Sequence, residues 1–321
     1  MLRLHILLLI IAAITLSGCA TPQAPRPDAA TLPPDQNYLH LTDGTELFER
    51  QWAPESKAEA VIIMLHGSGS HSGGLSHLAE YLATHAFHVY AYDYPGFGYS
   101  PGRRAITPPF AVLQRGLSTY LTLIRNRHPG LAIFIVGESM GGSMAIYSEI
   151  YSELDAEGII LCGAAFDYPP GTNAFLRFIA RFIGFFSEDI PLVPVELDEL
   201  TRSEEAKARF LADPLMVTDR IPVGHVNVLM DNINRMRPDF GKVQIPFYIQ
   251  HGSEDHVAPL SGVEDLYRLA ASKDKKMKIY PGLMHAILHE PEWLNVADDM
   301  IEWISLRMET EKMTKTEALH Q

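Results

Sequence analysis

Short apolar runs alternate with longer amphipathic stretches through the first half of the chain. Residues 60–65, 89–93, 131–136 and 158–162 carry the runs, while 75–85, 110–127 and a segment opening at Met140 carry helical periodicity. A strand that is apolar on both sides must be covered on both sides, so the alternation predicts an α/β fold: a mostly parallel sheet flanked by helices. Ahead of it, residues 38–52 contain LHLTDG and ELFERQW, which predict an antiparallel hairpin at the sheet edge. After Ala165 the rhythm breaks, through Pro169-Pro170, an aromatic-rich helix, Pro191, Pro194 and an acidic helix over 197–211. It resumes with strands at 245–250 and 277–280 and helices at 261–271 and 291–308. The predicted organisation is one core built from 37–166 and 241–308, interrupted by a helical cap at 167–240 and followed by a polar tail at 309–321.

In the cap, Phe175, Leu176, Phe178, Ile179, Phe182, Ile183, Phe185 and Phe186 fall on one half of a helix whose other half holds Arg177, Arg181 and Gly184. A stripe of about 100° is enough to pack a helix on its core. The extra width predicts a second apolar contact, with Phe178, Phe182 and Phe186 as candidates for an acyl chain, the bilayer, or both, and with the two arginines meeting anionic head groups. The competing expectation is that the aromatics seal the cap onto the sheet.

The N-terminus follows another pattern. Residues 6–16 are almost unbroken apolar, too short to span a bilayer, and end at Leu16-Ser17-Gly18-Cys19. That ending resembles the bacterial lipobox, which implies a signal peptide over 1–18 and acyl chains on Cys19 that tether the protein to a membrane surface. Ala20 stands where the inner-membrane retention signal has Asp, so the expected location is the outer membrane, facing the periplasm. Five prolines between residues 21 and 36 predict an extended tether from 19 to 36.

The chain has 321 residues, 47% of them hydrophobic, and a formal charge of −13. Such acidity without a Lys/Arg cluster argues against a nucleic-acid partner. With only two cysteines and Cys19 assigned to lipid, no disulfide framework or cysteine zinc site can be built, and Cys162 reads as a small buried hydrophobe.

Chemistry enters at Gly137-Glu138-Ser139-Met140-Gly141, which has a strand before it and a helix after it. That is the setting of a nucleophile elbow, where a strained turn lifts the serine and glycines let strand and helix approach. A serine needs a base, and the base an orienting acid. The later strands end in His251-Gly252-Ser253-Glu254-Asp255-His256 and in Pro281-Gly282-Leu283-Met284-His285, which nominates Asp255 as the acid and His285 as the base. Glu254 is the competing acid; His256 and His289 are weaker candidates for the base. The loop His66-Gly67-Ser68-Gly69 follows the first core strand, so the backbone N–H groups of Ser68 and Met140 are the expected oxyanion donors, with His66 bracing the loop. His251, Asp255 and His256 are close in sequence, but no helical metal pair is present, and neither a metal nor another cofactor is expected.

Together, HGSG, DYPGFGYSPG (93–102), GESMGG, DPL (213–215), GSEDHVAP and YPGLMH resemble the monoacylglycerol lipase and lysophospholipase branch of the α/β-hydrolases, of serine aminopeptidase S33 type, over residues 40–307. The resemblance implies that fold with an inserted cap, a Ser-His-Asp triad, and hydrolysis of mono-acyl lipid esters through an acyl-enzyme. General esterases and aminopeptidases share the skeleton. An aminopeptidase needs an acidic pocket for the substrate amine, for which Glu138, Asp167 and Glu188 are the candidates. A non-catalytic lipid-binding lipoprotein is the reading from a different class.

Overall fold

The computed structural model describes residues 35–319 apart from Asp43, together with Leu32, and side chains as far as Glu309. The signal segment, Cys19 and nearly all of the expected tether therefore lie outside the described residues.

The first part of the core comprises β1 (Gln36–His40), β2 (Glu46–Trp52), β3 (Ala60–Leu65), α1 (Ser76–Thr84), β4 (Phe87–Tyr92), α2 (Phe110–Arg127), β5 (Ala132–Glu138), α3 (Met140–Ser152) and β6 (Gly158–Cys162). The cap contributes α4 (Ala174–Phe186), β7 (Pro191–Pro194), α5 (Leu197–Leu200), α6 (Glu204–Ala212), β8 (Arg220–Pro222) and α7 (Val223–Met236). The core then returns with β9 (Phe247–Gly252), α8 (Leu260–Leu269), β10 (Lys275–Tyr280) and α9 (Trp293–Leu319).

The described residues form an eight-stranded sheet of order β1-β2-β4-β3-β5-β6-β9-β10. β1 and β2 make the antiparallel edge hairpin, β2 pairs antiparallel with β4, and the remaining neighbours are parallel. Strand periodicity splits the core in two. Val61, Ile63 and Leu65 of β3 join Ile133 and Ile135 of β5 and Ile159 and Leu161 of β6 in one apolar cluster, shared with α2, α3 and α8. Ile62, Met64, Phe134, Val136, Ile160 and Cys162 point the other way, against α1 and α9. Each fully buried aliphatic side chain contributes roughly 1.5–3 kcal/mol, so a sheet apolar on both faces holds both helical layers. Cys162 is buried as a small hydrophobe, as its surroundings predict. Because β3, β5, β6, β9 and β10 run parallel, the loops leaving their C-terminal ends all open at one rim.

Several elements depart from expectation. The acidic helix breaks into α5 and α6, because Thr201 turns inward to donate its hydroxyl to the His289 carbonyl at 3.2 Å and Ser203 restarts the helix by accepting the Ala206 N–H. α7 and the β7–β8 ribbon are not evident in the sequence: the buried Met230, Ile233 and Met236 of α7 are interleaved with His225, Asn227 and Asn232, which dilute the period. α9 continues past 308 to Leu319, since METEKMTKTEAL offers helix formers and no Gly or Pro to stop it.

α4 also sits differently from a sealing helix. Its inner face is the sparse one: Ala180 is buried, and a Cβ on Gly184 would lie 2.3 Å from Asn227 of α7, so small residues set the close crossing of α4 on α7. Arg177 lies over the Tyr168 ring at 4.8 Å and Arg181 pairs with Asp231, so both arginines have partners within the cap. The aromatic stripe faces out, with Phe178 61%, Phe182 54% and Phe186 59% exposed. Phe182 stacks near Phe178 and meets Phe186 edge-on, a ladder on the surface rather than a seal against the sheet.

Candidate active site

Ser139 leaves the end of β5 in a strained conformation, φ +49° and ψ −115°, and heads α3. Its N–H donates to the Cys162 carbonyl at 2.9 Å, which locks the turn to β6. Glycine is required on both sides: a Cβ on Gly137 would lie 2.6 Å from Gly142, and one on Gly141 would lie 2.1 Å from the Leu65 carbonyl oxygen. The serine is thus held at the sheet rim by a turn that no other residue pair allows, as the elbow pattern predicts.

The loop after β10 brings His285 to it. Ser139 Oγ lies 2.9 Å from His285 Nε2, and the opposite ring nitrogen, Nδ1, lies 2.9 Å from Asp255 Oδ2. A carboxylate only accepts, so Nδ1–H donates to Asp255, which leaves Nε2 to accept the serine proton. Asp255 is buried, and its Oδ1 also accepts the N–H groups of Val257 and Ala258 at 2.9 and 2.7 Å. Burial alone would raise its carboxyl; the His285 charge and the hydrogen bonds from His251 and His285 outweigh that and hold it well below the usual carboxylate range. Burial opposes charge on His285 too, but the Asp255 carboxylate and its hydrogen bond prevail, and the imidazole stands above its ordinary 6.5. The competitors go elsewhere. Glu254 and His256 are exposed, and His289 is buried with Nε2 3.5 Å from Glu138 Oε1, in a setting that pushes it well below 6.5.

Gly67 packs directly against the nucleophile turn, since a Cβ placed on it would lie 3.3 Å from Ser139 Cβ, and Ser68 follows it. Met140 opens α3, where backbone N–H groups lack intrahelical partners, so both expected oxyanion donors flank Ser139. His66 braces this loop as expected: its Nε2 accepts the Tyr94 N–H at 3.1 Å, its Nδ1–H donates to the Gly67 carbonyl at 2.9 Å, and burial lowers its pKa to about 4, keeping it neutral. Asp93, from the DYPGFGYSPG segment, accepts the Ser72 and Tyr99 N–H groups at 2.7 and 2.8 Å and so ties the loop after β4 to the loop after β3. His71 donates to Asp213 of DPL at 2.8 Å, fastening the cap to that same loop.

Glu138 is a feature the sequence undervalues. It is buried beside the nucleophile, where desolvation lifts its carboxyl to about 7 against the Gly67 N–H and the His285 charge. The other two acids considered for a substrate amine already have partners. Asp167 binds Arg237 at 2.6 Å and accepts the Ser261 hydroxyl at 3.1 Å, and Glu188 pairs with Arg103. Two more polar residues at the site, Thr107 and His225, carried no local signal in the sequence. The arrangement as a whole can transfer a proton from a strained serine to an oriented imidazole, with the start of α3 and the Gly67-Ser68 turn beside it.

Comparison with known proteins agrees with that chemistry. A family profile described as serine aminopeptidase, S33 matches residues 56–292. The monoglyceride lipase of Homo sapiens is 30% identical over 282 residues, spanning 86% of this chain and 93% of that one. The monoacylglycerol lipase of Mycolicibacterium smegmatis is 28% identical over 261 residues, spanning 81% of this chain and 93% of that one. Among solved structures, the monoacylglycerol lipase of Paleococcus ferrophilus aligns with a TM-score of 0.73 at 26% identity, covering 81% of this chain and 99% of that one. With the fold, the elbow and the family match in agreement, the chain belongs to the serine aminopeptidase S33 family of α/β-hydrolases and is a serine ester hydrolase.

Proposed function

We propose that the protein cleaves carboxylic esters of mono-acyl lipids, monoacylglycerols or lysophospholipids. Ser139 Oγ attacks the ester carbonyl as His285 Nε2 takes its proton; Asp255 holds the imidazole and stabilises the imidazolium; the N–H groups of Ser68 and Met140 receive the oxyanion. His285 then protonates the leaving alcohol, and the acyl-Ser139 ester is hydrolysed by a water that His285 activates.

The observation that carries the lipid reading is the outward face of α4, where Phe175, Leu176, Phe178, Phe182, Phe185 and Phe186 are all exposed. An apolar patch of this kind marks a contact surface, and a membrane or acyl chain is the partner that suits an esterase of this family. The aminopeptidase alternative loses support because Asp167 and Glu188 are occupied by Arg237 and Arg103. A substrate profile tests the choice. Each buried methylene is worth about 0.8 kcal/mol, roughly fourfold, so long-chain monoacyl esters are expected to exceed butyryl esters by orders of magnitude and aminoacyl amides to be inert. Preference for aminoacyl amides would overturn the reading.

Phe182→Ser and Phe186→Ser test the α4 face. Each removes about 1.5–3 kcal/mol of apolar transfer, so activity on long-chain monoacyl esters in vesicles should fall about tenfold or more, with butyryl ester hydrolysis nearly unchanged. Because both rings are exposed, the melting temperature should hold. Equal losses on both substrates, or a lower melting temperature, would contradict the contact role.

The proposal extends to location: an exported lipoprotein held by acylated Cys19, its partners the outer-membrane surface and its lipids, with the aromatic face of α4 as a second contact. Among the described residues no helix is long and apolar enough to cross a membrane. Cys19→Ser is expected to move active enzyme into the soluble fraction, read by fractionation and ester assay. Retention of that variant on membranes would show that another surface, such as the α4 face, does the anchoring.

A further inference from the structure

The two residues proposed to supply backbone oxyanion donors are also linked through their side chains. His225, on cap helix α7, is buried with Nε2 3.0 Å from Ser68 Oγ and Nδ1 2.6 Å from Thr107 Oγ1, and Thr107 Oγ1 in turn lies 3.7 Å from Met140 Sδ. A continuous path therefore runs Ser68–His225–Thr107–Met140 around the nucleophile turn. Burial, with a smaller push from His66, lowers the His225 pKa to about 4, so at neutral pH its ring carries one N–H.

Where that proton sits follows from distance and acceptor strength. Contacts of O–H donors are shorter than those of N–H donors, which centre near 2.9–3.0 Å. The 2.6 Å contact fits Thr107 O–H donating to Nδ1, and the 3.0 Å contact fits Nε2–H donating to Ser68 Oγ. The reverse assignment would turn the Thr107 hydroxyl towards a thioether sulfur, a weak acceptor. With Nε2–H donating, Ser68 Oγ is an acceptor on that side, and its own proton is available on another. Ser68 is partly exposed, next to Gly67, which packs against Ser139.

We propose that the Ser68 hydroxyl is a third oxyanion donor, a side-chain O–H added to the two backbone N–H groups, and that His225 and Thr107 are positioning residues that fix the direction of its proton. His225 belongs to the cap, so the third donor is in place only while α7 is seated on the core. The inference rests on the proposed acyl-transfer reading, but not on the identity of the acyl group.

Ser68→Ala keeps the backbone N–H and deletes only the hydroxyl. With a butyryl ester, kcat should fall ~10²-fold with KM little changed, the size of effect that loss of one oxyanion donor produces. A trifluoromethyl ketone, whose tetrahedral adduct carries an oxyanion, should lose affinity in parallel. Ser68→Thr, which retains the hydroxyl, should recover most of the rate. His225→Phe should reduce kcat in the parent but add little in the Ser68→Ala background, because both act on one group. Fluorophosphonate labelling of Ser139 in Ser68→Ala would show the nucleophile and base intact. A Ser68→Ala kcat within twofold of the parent, or additive losses from Ser68→Ala and His225→Phe, would overturn this inference alone. A parent enzyme that neither hydrolyses esters nor labels at Ser139 would overturn it together with the acyl-transfer reading.

Discussion

Ser139→Ala is expected to lower kcat for ester hydrolysis about 10⁶-fold, leaving only what substrate binding and the oxyanion donors provide on their own. The size of the loss follows from the geometry: the serine oxygen is 2.9 Å from His285 Nε2, a base that buried Asp255 orients, and no second hydroxyl shares that contact among the described hydrogen bonds. The change should cost little stability, since alanine can be accommodated in the turn only at the price of the same positive φ already imposed on serine. Steady-state kinetics with a chromogenic butyryl ester, alongside a melting curve, separates the two effects. A loss below about tenfold, with the fold intact, would move the nucleophile elsewhere.

Asp255→Asn is expected to reduce kcat about 10⁴-fold at neutral pH, less than the loss at Ser139 because Asp255 never touches substrate. It should also move the pH profile. The proposed base works as neutral imidazole, so kcat/KM falls as pH drops through the His285 pKa, which stands above 6.5 because Asp255 favours the charged ring. Removing that charge leaves burial, which disfavours charge, so the acid limb should shift to lower pH even as the rate collapses. A profile whose acid limb stays in place would mean that Asp255 does not set the protonation of His285. Glu254→Gln is the control: Glu254 is exposed, with its carboxylate beside Ser253, and its loss should leave rate and profile nearly unchanged.

The elements that position the site were readable because their signals are local. The glycines around Ser139 report a close approach of strand and helix, and α2 and β6 have the bounds their periodicity predicts. Asp255 and Glu254 are adjacent in the sequence, and the structure separates them on physical grounds: one carboxylate turns in to His285, Val257 and Ala258, and its neighbour turns out to solvent. The cap was legible only as an interruption. The width of the α4 stripe signalled an extra contact, yet which face packs inward depends on α7, whose own polar residues conceal it, and small residues at Ala180 and Gly184 decide the crossing. Thr107 and His225 had no signal of their own, because a lone polar residue acquires a role at this site only once segments far apart in sequence are brought together. Glu138 was visible as a residue of the elbow, but its burial against Gly67 and His289 is a product of the loops around it.

Covalent labelling with a fluorophosphonate, followed by peptide mass mapping, shows whether Ser139 is a nucleophile activated by His285. An activated serine beside a base and an oxyanion site attacks this electrophile, whereas an ordinary surface serine does not. One adduct is expected, on the peptide containing Ser139, absent in Ser139→Ala and strongly slowed in His285→Ala. Labelling of Ser139→Ala to the same extent as the parent, or an adduct on another residue in an enzyme that still hydrolyses esters, would contradict it.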